Sequence, residues 1–338
     1  MKPKVTQRDV ARQAGVSQTA VSLVLGNKAD AAISEECRQR VLAACLEVGY
    51  QPPHRQTMTL GILLNEWLAR EYHASTYYAR FYHGLIQTAA NLGYYLIPHV
   101  CDTSAGVPAI ISEGRVDGVI IQDKASPSFL RKIQAERPCV LLNIQVPELA
   151  ITSIMPDNSG GIALAVRHLY EAGHRRIAFF GLGDPKAEGV HQSERYAGYT
   201  ATMRELGLAP ITYFTPAQKP DYSDALLRTA EAAAGLYSLQ PRPTAVLSYG
   251  DVHILRFIDA ARNLGWSAPE ELSLIGFDNT DFCNFSSPPL TSVDQPLEDM
   301  AAAAVSELVA TIADPDRAVR SLRFDTRLHE RQSVMPPK

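Results

Sequence analysis

Apolar residues recur at helical spacing in the first fifty positions and in short unbroken runs thereafter. This change of period divides the chain. Thr6-Gln7-Arg8-Asp9 has the capping-box pattern and predicts a helix from Gln7, with Val10, Ala11 and Ala14 on one face and an end at Gly15. Ser17 caps a second predicted helix, in which Val21 and Val24, with Val16 just before it, turn toward the first. Ser34 caps a third, ending at Gly49, whose apolar positions Val41, Leu42, Cys45 and Leu46 are helically spaced. Only the turn AGVS separates the first two helices. Two short helices joined by a Gly-containing turn, with a third closing the core, describe a helix-turn-helix.

From Thr59 the pattern becomes apolar strand, helix, apolar strand. TLGILLN, YYLIPHV, VDGVIIQ, PCVLLN, RRIAFFG, TAVLSY and LSLIGFD read as strands, with another near Thr212–Phe214. Helices are predicted over Ala79–Leu92, Gly160–Ala172, Arg195–Leu206 and Ile254–Leu264. Repeated units of this kind give an α/β fold of parallel sheets flanked by helices. Ligands of such sheets sit at the carboxyl ends of the strands, which here carry Asn65, Asp123, Asn143, Asp251 and Asp278.

Composition narrows the class. With 338 residues, 46% of them hydrophobic and 20% charged, the chain has the make-up of a soluble multidomain protein. Its apolar runs are too short to cross a bilayer, and MKPKVTQRDVARQ lacks the apolar core of a secretion signal, so the expected compartment is the cytoplasm. The five cysteines show no CxxC or Cys/His ligand spacing, which predicts reduced thiols and no metal. Residues 1–57 carry a net charge of +3 and the remainder −7, the distribution expected when only the small segment meets an anionic partner.

The second helix suits double-stranded DNA. In a helix-turn-helix it enters the major groove, its first residues reaching base edges and its hydroxyls reaching phosphates. Gln18 is the expected base reader, because its amide can pair bidentately with adenine. The DNA-facing set is Thr6, Ser17, Gln18, Thr19, Ser22 and Asn27, with Lys2, Lys4 and Arg55 adding attraction to phosphate. The ordinary alternative is a three-helix cap on which Gln18, Thr19 and Ser22 are polar surface.

VTQRDVARQAGVSQTAVSLVLGN followed by ISEECRQRVLAACLEVGYQP resembles the DNA-binding domain of the LacI/GalR (lactose-repressor/galactose-repressor) family. The resemblance continues through GRVDGVII, DNSGGIALAVRHLYEAGHRRIAFFG, SERYAGY, PTAVLSYGD and PEELSLIGFDNTDFCNFSSPPLTSVDQP. It implies an all-α helix-turn-helix domain followed by a two-lobed, type I periplasmic-binding-protein-like domain, the lobes joined by three crossing strands. The domain reading is 1–50 for the head and 51–58 for a linker. The N-lobe takes 59–155 and 293–320, the C-lobe 156–292 and 321–333, and the tail 334–338. Crossovers are expected near Met155–Asp157, Pro289–Ser292 and Ser321–Arg323. By resemblance Arg195 and Asp278 bind the effector in the cleft, Gln295 lines it, and Tyr77 and Tyr78 stand where the family usually has a Phe pair. Tyr222, Asp123 and Asp251 complete the effector-facing set. A guanidinium and a carboxylate facing aromatic rings suit a polyhydroxylated ligand such as a sugar. The alternatives are a lobe–lobe salt bridge for Arg195 and core positions for the tyrosines.

The chain departs from the family in several places. Leu23 replaces the usual Arg of the recognition helix, and the usual Asn-Gly after it is reversed to Gly26-Asn27. QPPHRQTMT leaves no hinge helix, with Met58 the only candidate for a wedge into the minor groove, so two half-sites without a central kink are expected. Those nine residues span at most roughly 30 Å. The segment from His99 to Val116 is short, with Pro108 early in what should be a helix, and Gly250 replaces an Asn that commonly bonds the effector. A purine or another polar metabolite therefore stays open. GLGD and DNSGGIA do not form G-x-G-x-x-G, no G-x-S-x-G or H-E-x-x-H occurs, and His168 and His174 read as helix surface and cap. The expectation is a homodimeric, effector-controlled transcriptional regulator, a repressor, with no cofactor and no catalysis. The rival reading is a metabolite sensor whose head meets protein.

Overall fold

The computed structural model describes residues 5–25, 33–48, 50, 56–64, 76–102, 106–122, 125–182, 190–215 and 222–338. They form two compact units, Met1–Gln56 and Thr57–Lys338. In the first unit α1 spans Gln7–Ala14, α2 Gln18–Leu25 and α3 Glu35–Val48. The Asp9 carboxylate accepts the Thr6 backbone N–H at 2.9 Å and its hydroxyl at 2.7 Å, and Gly15 ends α1 in the left-handed region at φ 63°. Ser17 and Ser34 accept the N–H groups of Ala20 and Cys37, which fixes where α2 and α3 begin. Val10, Val21, Val24 and Val41 are the centre of a small core. Leu42 and Leu46, expected in that core, are instead 48% and 85% exposed. Three short helices bury one stripe of α3, and Val41, Ala44 and Cys45 occupy it.

The second unit holds two six-stranded sheets. The first runs β11-β5-β4-β3-β1-β2 and is parallel throughout. Its strands are β1 Thr59–Leu64, β2 Tyr95–Val100, β3 Gly118–Ile121, β4 Cys139–Leu142, β5 Thr152–Pro156 and β11 Ser321–Phe324. The second runs β12-β10-β9-β8-β6-β7, with β6 Ile177–Leu182, β7 Ile211–Thr215, β8 Ala245–Ser248, β9 Ser273–Phe277, β10 Thr291–Asp294 and β12 Arg327–His329. Among the described strands only β12 is antiparallel to its neighbour. Near-continuous apolar strands, such as GVII and CVLL, are buried on both faces, as parallel sheets require.

Helices α4 Thr76–Asn91, α5 Ala109–Ser112, α6 Pro127–Glu136, α7 Asn158–Glu171, α8 Val190–Glu205, α9 Tyr222–Ser238, α10 Asp251–Asn263, α11 Phe282–Phe285 and α12 Leu297–Ala313 follow or precede these strands. Helix α4 begins three residues before its expected start, so Tyr77 and Tyr78 lie in its first turn. The single turn of α5 begins just after Pro108, in keeping with proline's restriction of the preceding backbone. Two crossovers differ from the sequence reading. Because β10 pairs with β9, the chain changes lobe at Gln295–Pro296 rather than at Pro289–Ser292. Because β11 pairs with β5, residues 321–324 belong to the first lobe, and the last crossing falls at Asp325–Thr326. His174 is a further difference: it is buried, with its ring nitrogens near the Thr244 and Ser273 hydroxyls and the Met335 carbonyl, and so fastens the C-terminal segment to the second sheet.

Residues 56–58 are not helical. Asp117, 1% exposed, accepts the Thr57 N–H at 2.8 Å, the Thr57 hydroxyl at 3.0 Å and the Met58 N–H at 2.9 Å. Met58 has φ 52°, and its methyl lies over Gly93. The remaining linker residues 51–55, Arg55 among them, lie outside the described residues, as do Lys4 and Asn27.

Candidate functional site

On the first unit, α2 presents Gln18, Thr19 and Ser22 as exposed side chains, preceded by exposed Ser17. The Arg8 guanidinium on α1 donates to the Gln18 amide oxygen at 3.4 Å. That contact engages the oxygen of the amide and fixes which end of it faces α1. Arg40 donates to the Ala14 and Gly15 carbonyls, placing a cation at the C-terminal end of α1, where the dipole favours it. Gln13 joins α1 to Glu47 on α3 at 2.6 Å. Thr6 is half committed, its hydroxyl and N–H both given to Asp9, whose carboxyl these bonds hold below the usual range.

In the second unit the polar residues converge where strands end. Arg195 on α8 is 3% exposed; its Nε donates to Asn158 at 2.8 Å, its Nη1 to the Tyr249 carbonyl, and its guanidinium lies 3.7 Å over the Phe277 ring. This placement needs close helices: a Cβ on Gly198, one turn along, would come within 2.7 Å of the Ser159 carbonyl on α7. Asp278 follows β9 with φ 112°, 3.7 Å from Arg195 Nη1. Gln295, at the crossover, donates to Asp278 at 2.6 Å. Burial pushes the Asp278 carboxyl up, to about 8, against the pull of Arg195 and with the added repulsion of Asp251. Burial also lowers the pKa of Arg195, against the attraction of Asp278.

The first lobe faces this group with Tyr77 and Tyr78, whose rings meet edge to face at 5.0 Å. Asn143, just past β4 with φ 59°, donates to the Tyr77 hydroxyl at 3.1 Å. Burial raises the Tyr77 pKa strongly, with the nearby Asp278 carboxyl adding to the rise and Arg195 and Gln295 opposing it. Several buried atoms around these strand ends have no hydrogen-bond partner among the described residues: Thr76 Oγ1, Asn143 Oδ1, Ser248 Oγ, His253 Nδ1 and Gln295 Oε1. Burial takes His253 down to about 3, so its ring is neutral.

The structure thus brings Tyr77, Tyr78, Arg195, Asp278 and Gln295 together. Asp251 has a different place. Fully buried, it accepts the Thr280 N–H and hydroxyl, the Cys283 thiol and the Ser292 hydroxyl at 2.5–3.1 Å, which occupies both oxygens and pins the segment after β9 to α10 and β10. The bonds of Asp251, expected to face the effector, are thus made within the fold. Asp123 lies outside the described residues, and so does the side chain of Tyr222. Nothing in the sequence marks Arg8, Asn158, Glu194, Ser248 or His253, because an isolated polar residue carries no periodic signal. Asn143 was visible only as the residue ending an apolar run.

Arg80 on α4 is held by both Glu298 oxygens at 2.9 Å and by Asp294 at 3.1 Å. Burial works against its charge, but these bonds outweigh it and raise its pKa. Among the described residues no group of His, Cys, Asp and Glu could hold a metal ion, and no helix is long and apolar enough to cross a membrane.

A three-helix head with an exposed polar second helix, and a two-lobed unit with a polar cleft at its strand ends, define a ligand-responsive DNA-binding regulator. The chain belongs to the lacI family of bacterial regulatory proteins. Residues 6–53 match that family and residues 166–334 the periplasmic binding protein-like domain. The chain is 31% identical to the transcriptional repressor CytR of Escherichia coli, over 86% of this chain and 85% of CytR. It is 30% identical to the regulator DegA of Bacillus subtilis, over 88% of this chain and 89% of DegA. It is 28% identical to the repressor PurR of Photobacterium profundum, over 97% of this chain and 98% of PurR. Among solved structures, the regulator CelR in complex with cellobiose superposes with a TM-score of 0.70 and 26% identity, covering 98% of this chain and all of CelR. The lac repressor dimer on its operator gives 0.67 at 22% identity, over 98% and 99%, and shares the fold. These relatives are transcriptional regulators, not enzymes.

Proposed function

We propose that this protein is a cytoplasmic, homodimeric repressor without catalytic activity, whose grip on DNA is set by an uncharged, polyhydroxylated effector of saccharide type. The observation that carries the effector class is the set of buried neutral polar atoms without partners among the described residues, Thr76 Oγ1, Asn143 Oδ1, Ser248 Oγ, His253 Nδ1 and Gln295 Oε1, together with the Tyr77 and Tyr78 rings. Two of these, the amide oxygens, accept only, so the ligand must donate to them. Sugar hydroxyls both donate and accept, and rings cover their C–H faces. The Arg80 guanidinium already faces the Asp294 and Glu298 carboxylates, which leaves its charge committed and disfavours a phosphorylated ligand there. The cellobiose bound by CelR is of the expected type.

Two heads on a two-fold axis read an approximately palindromic operator. For the contact between copies we favour the exposed Phe282 and Phe285, 52% and 84% exposed, which line a concavity of about 390 Å³ with Leu255 and Ile258. Thermal-shift titration with cellobiose, D-ribose, glucose 6-phosphate and adenosine tests the effector class. Stabilisation by a neutral saccharide supports it. Stabilisation by the phosphorylated sugar alone contradicts it.

A further inference from the structure

Asn158 opens α7, is fully buried, and divides its amide between two charged neighbours on α8. Its Oδ1 accepts the Arg195 Nε–H at 2.8 Å, and its Nδ2 donates to Glu194 Oε2 at 2.9 Å. Glu194 is in turn gripped by Arg323 of the first lobe's β11, in a two-pronged bond of 2.6 and 3.0 Å. Arg323 Nη2 also donates to Gln145 of the first lobe at 3.1 Å. These bonds run in one line, from the arginine of the cleft, through one amide, to a charge pair that spans the lobes. Guanidinium–carboxylate forks are directional, so a turn of the Glu194 carboxylate is felt at the Asn158 amide and then at Arg195.

We propose that Asn158 is a positioning residue that couples Arg195 to a Glu194–Arg323 latch between the lobes. This rests on the reading of the cleft as the effector site. The amide cannot serve both neighbours if it flips, because its oxygen would then meet a carboxylate and its NH2 a guanidinium. Arg195 and the latch are therefore registered to each other. A ligand that engages Arg195 biases the lobe angle through this amide, and by thermodynamic reciprocity the latch biases ligand binding by the same factor. The Arg323 and Glu194 side chains are 40% and 21% exposed, so the latch is open to screening by salt.

Two measurements on the full chain test this. In the first, spin labels are carried by an introduced keto amino acid at Lys132 on α6 and Glu171 on α7, both exposed. Electron–electron resonance then reads the distance between the lobes. The expected result is a narrow distribution that broadens between 50 and 500 mM KCl in the parent chain. Arg323→Gln, Glu194→Gln and the double variant should be equally broad at both salts. Asn158→Asp keeps an acceptor for Arg195 and loses the donor to Glu194, and it should broaden the distribution too. Distributions unchanged by all four variants would overturn the latch, whether or not the protein binds DNA.

In the second, a duplex obtained by selection reports affinity for the parent chain, Arg195→Gln, Arg323→Gln and the pair. Coupling of at least about fivefold between the two arginines is expected, falling to within twofold in chains that also carry Asn158→Ala. If Asn158→Ala does not fold, Asn158→Asp takes its place with the same expectation. Arginines that act independently in the parent background would overturn the relay.

Discussion

Gln295 donates its amide to Asp278 at 2.6 Å, and the two residues sit on different pieces of the molecule: one on a crossover between the lobes, the other at the end of β9. The bond ties the hinge region to the carboxylate that faces Arg195. It also helps hold Asp278 at φ 112°, a conformation that costs a non-glycine residue about 1–3 kcal/mol. Backbone strain, the Arg195 guanidinium and the crossover therefore meet at one carboxyl group, and its protonation has consequences for stability.

Burial raises the Asp278 pKa from 3.8 to about 8 in the folded protein. The folded state therefore binds a proton that the unfolded chain releases across this interval. The stabilisation is complete below the unfolded value and is lost as pH rises through the folded one. Thermal melts of the parent chain and Asp278→Asn should diverge between pH 5 and 8.5, the parent losing several degrees more. Parallel curves would show that the carboxyl is ionised throughout.

Gly250 stands where the family commonly has an Asn, and the structure has room for one. An added Cβ would meet Asp278 Oδ2 at 3.4 Å and His253 Cδ2 at 3.5 Å, ordinary contacts, on extended backbone at φ −168°. Gly250 caps α10, a position where Asn is at least as favourable. Gly250→Asn should change stability by less than about 0.5 kcal/mol while shifting the ranking of saccharides in thermal-shift titration. Collapse of stability on this substitution would show that the cleft cannot accommodate an amide there.

The Asp117 carboxylate holds the start of β1 by three bonds to Thr57 and Met58. Asp117→Ala strands two backbone N–H groups and should lower stability by about 2–3 kcal/mol in urea melts. It also releases Thr57 and Met58 into the tether. Sequences selected by this variant should tolerate a wider range of half-site spacings than those selected by the parent chain. An unaltered spacing preference would place the constraint elsewhere.

Gln18 is the expected reader of bases, and Arg8 orients it. Gln18→Ala should relax preference at one base pair by about 1–3 kcal/mol, measured by competition binding with single-substituted duplexes. Arg8→Ala should relax the same base pair by less. Loss of affinity spread evenly over all sequences would assign Gln18 to phosphate.

The head was legible because its signals are local. Thr6, Asp9 and Gly15 mark α1 without reference to anything distant, and Ser17 and Ser34 do the same for α2 and α3. The strands of the two lobes were legible as apolar runs, but their partners were not. SLRF reads as an edge strand in any sheet, and only its pairing with β5 assigns it to the first lobe. Helix α12 went unread: LEDMAAAAVSELVATIA mixes alanines on every face and buries Glu307, which meets Arg317 and Arg320. Leu42 and Leu46 misled, because helical spacing shows a face without showing whether anything covers it. In the cleft, resemblance supplied Arg195, Asp278 and Gln295. Asn158 and Glu194 needed the folded chain, since their chemistry lies in whom they meet.

Whether the chain reads an operator with two heads held in register is decided by selecting bound sequences from a random duplex pool, with the intact protein at near-physiological salt. The expected outcome is a roughly palindromic motif with a preferred half-site spacing, and enrichment that falls steeply as salt rises. A pool that shows no enrichment, with and without cellobiose and D-ribose present, would rule out an operator-reading head.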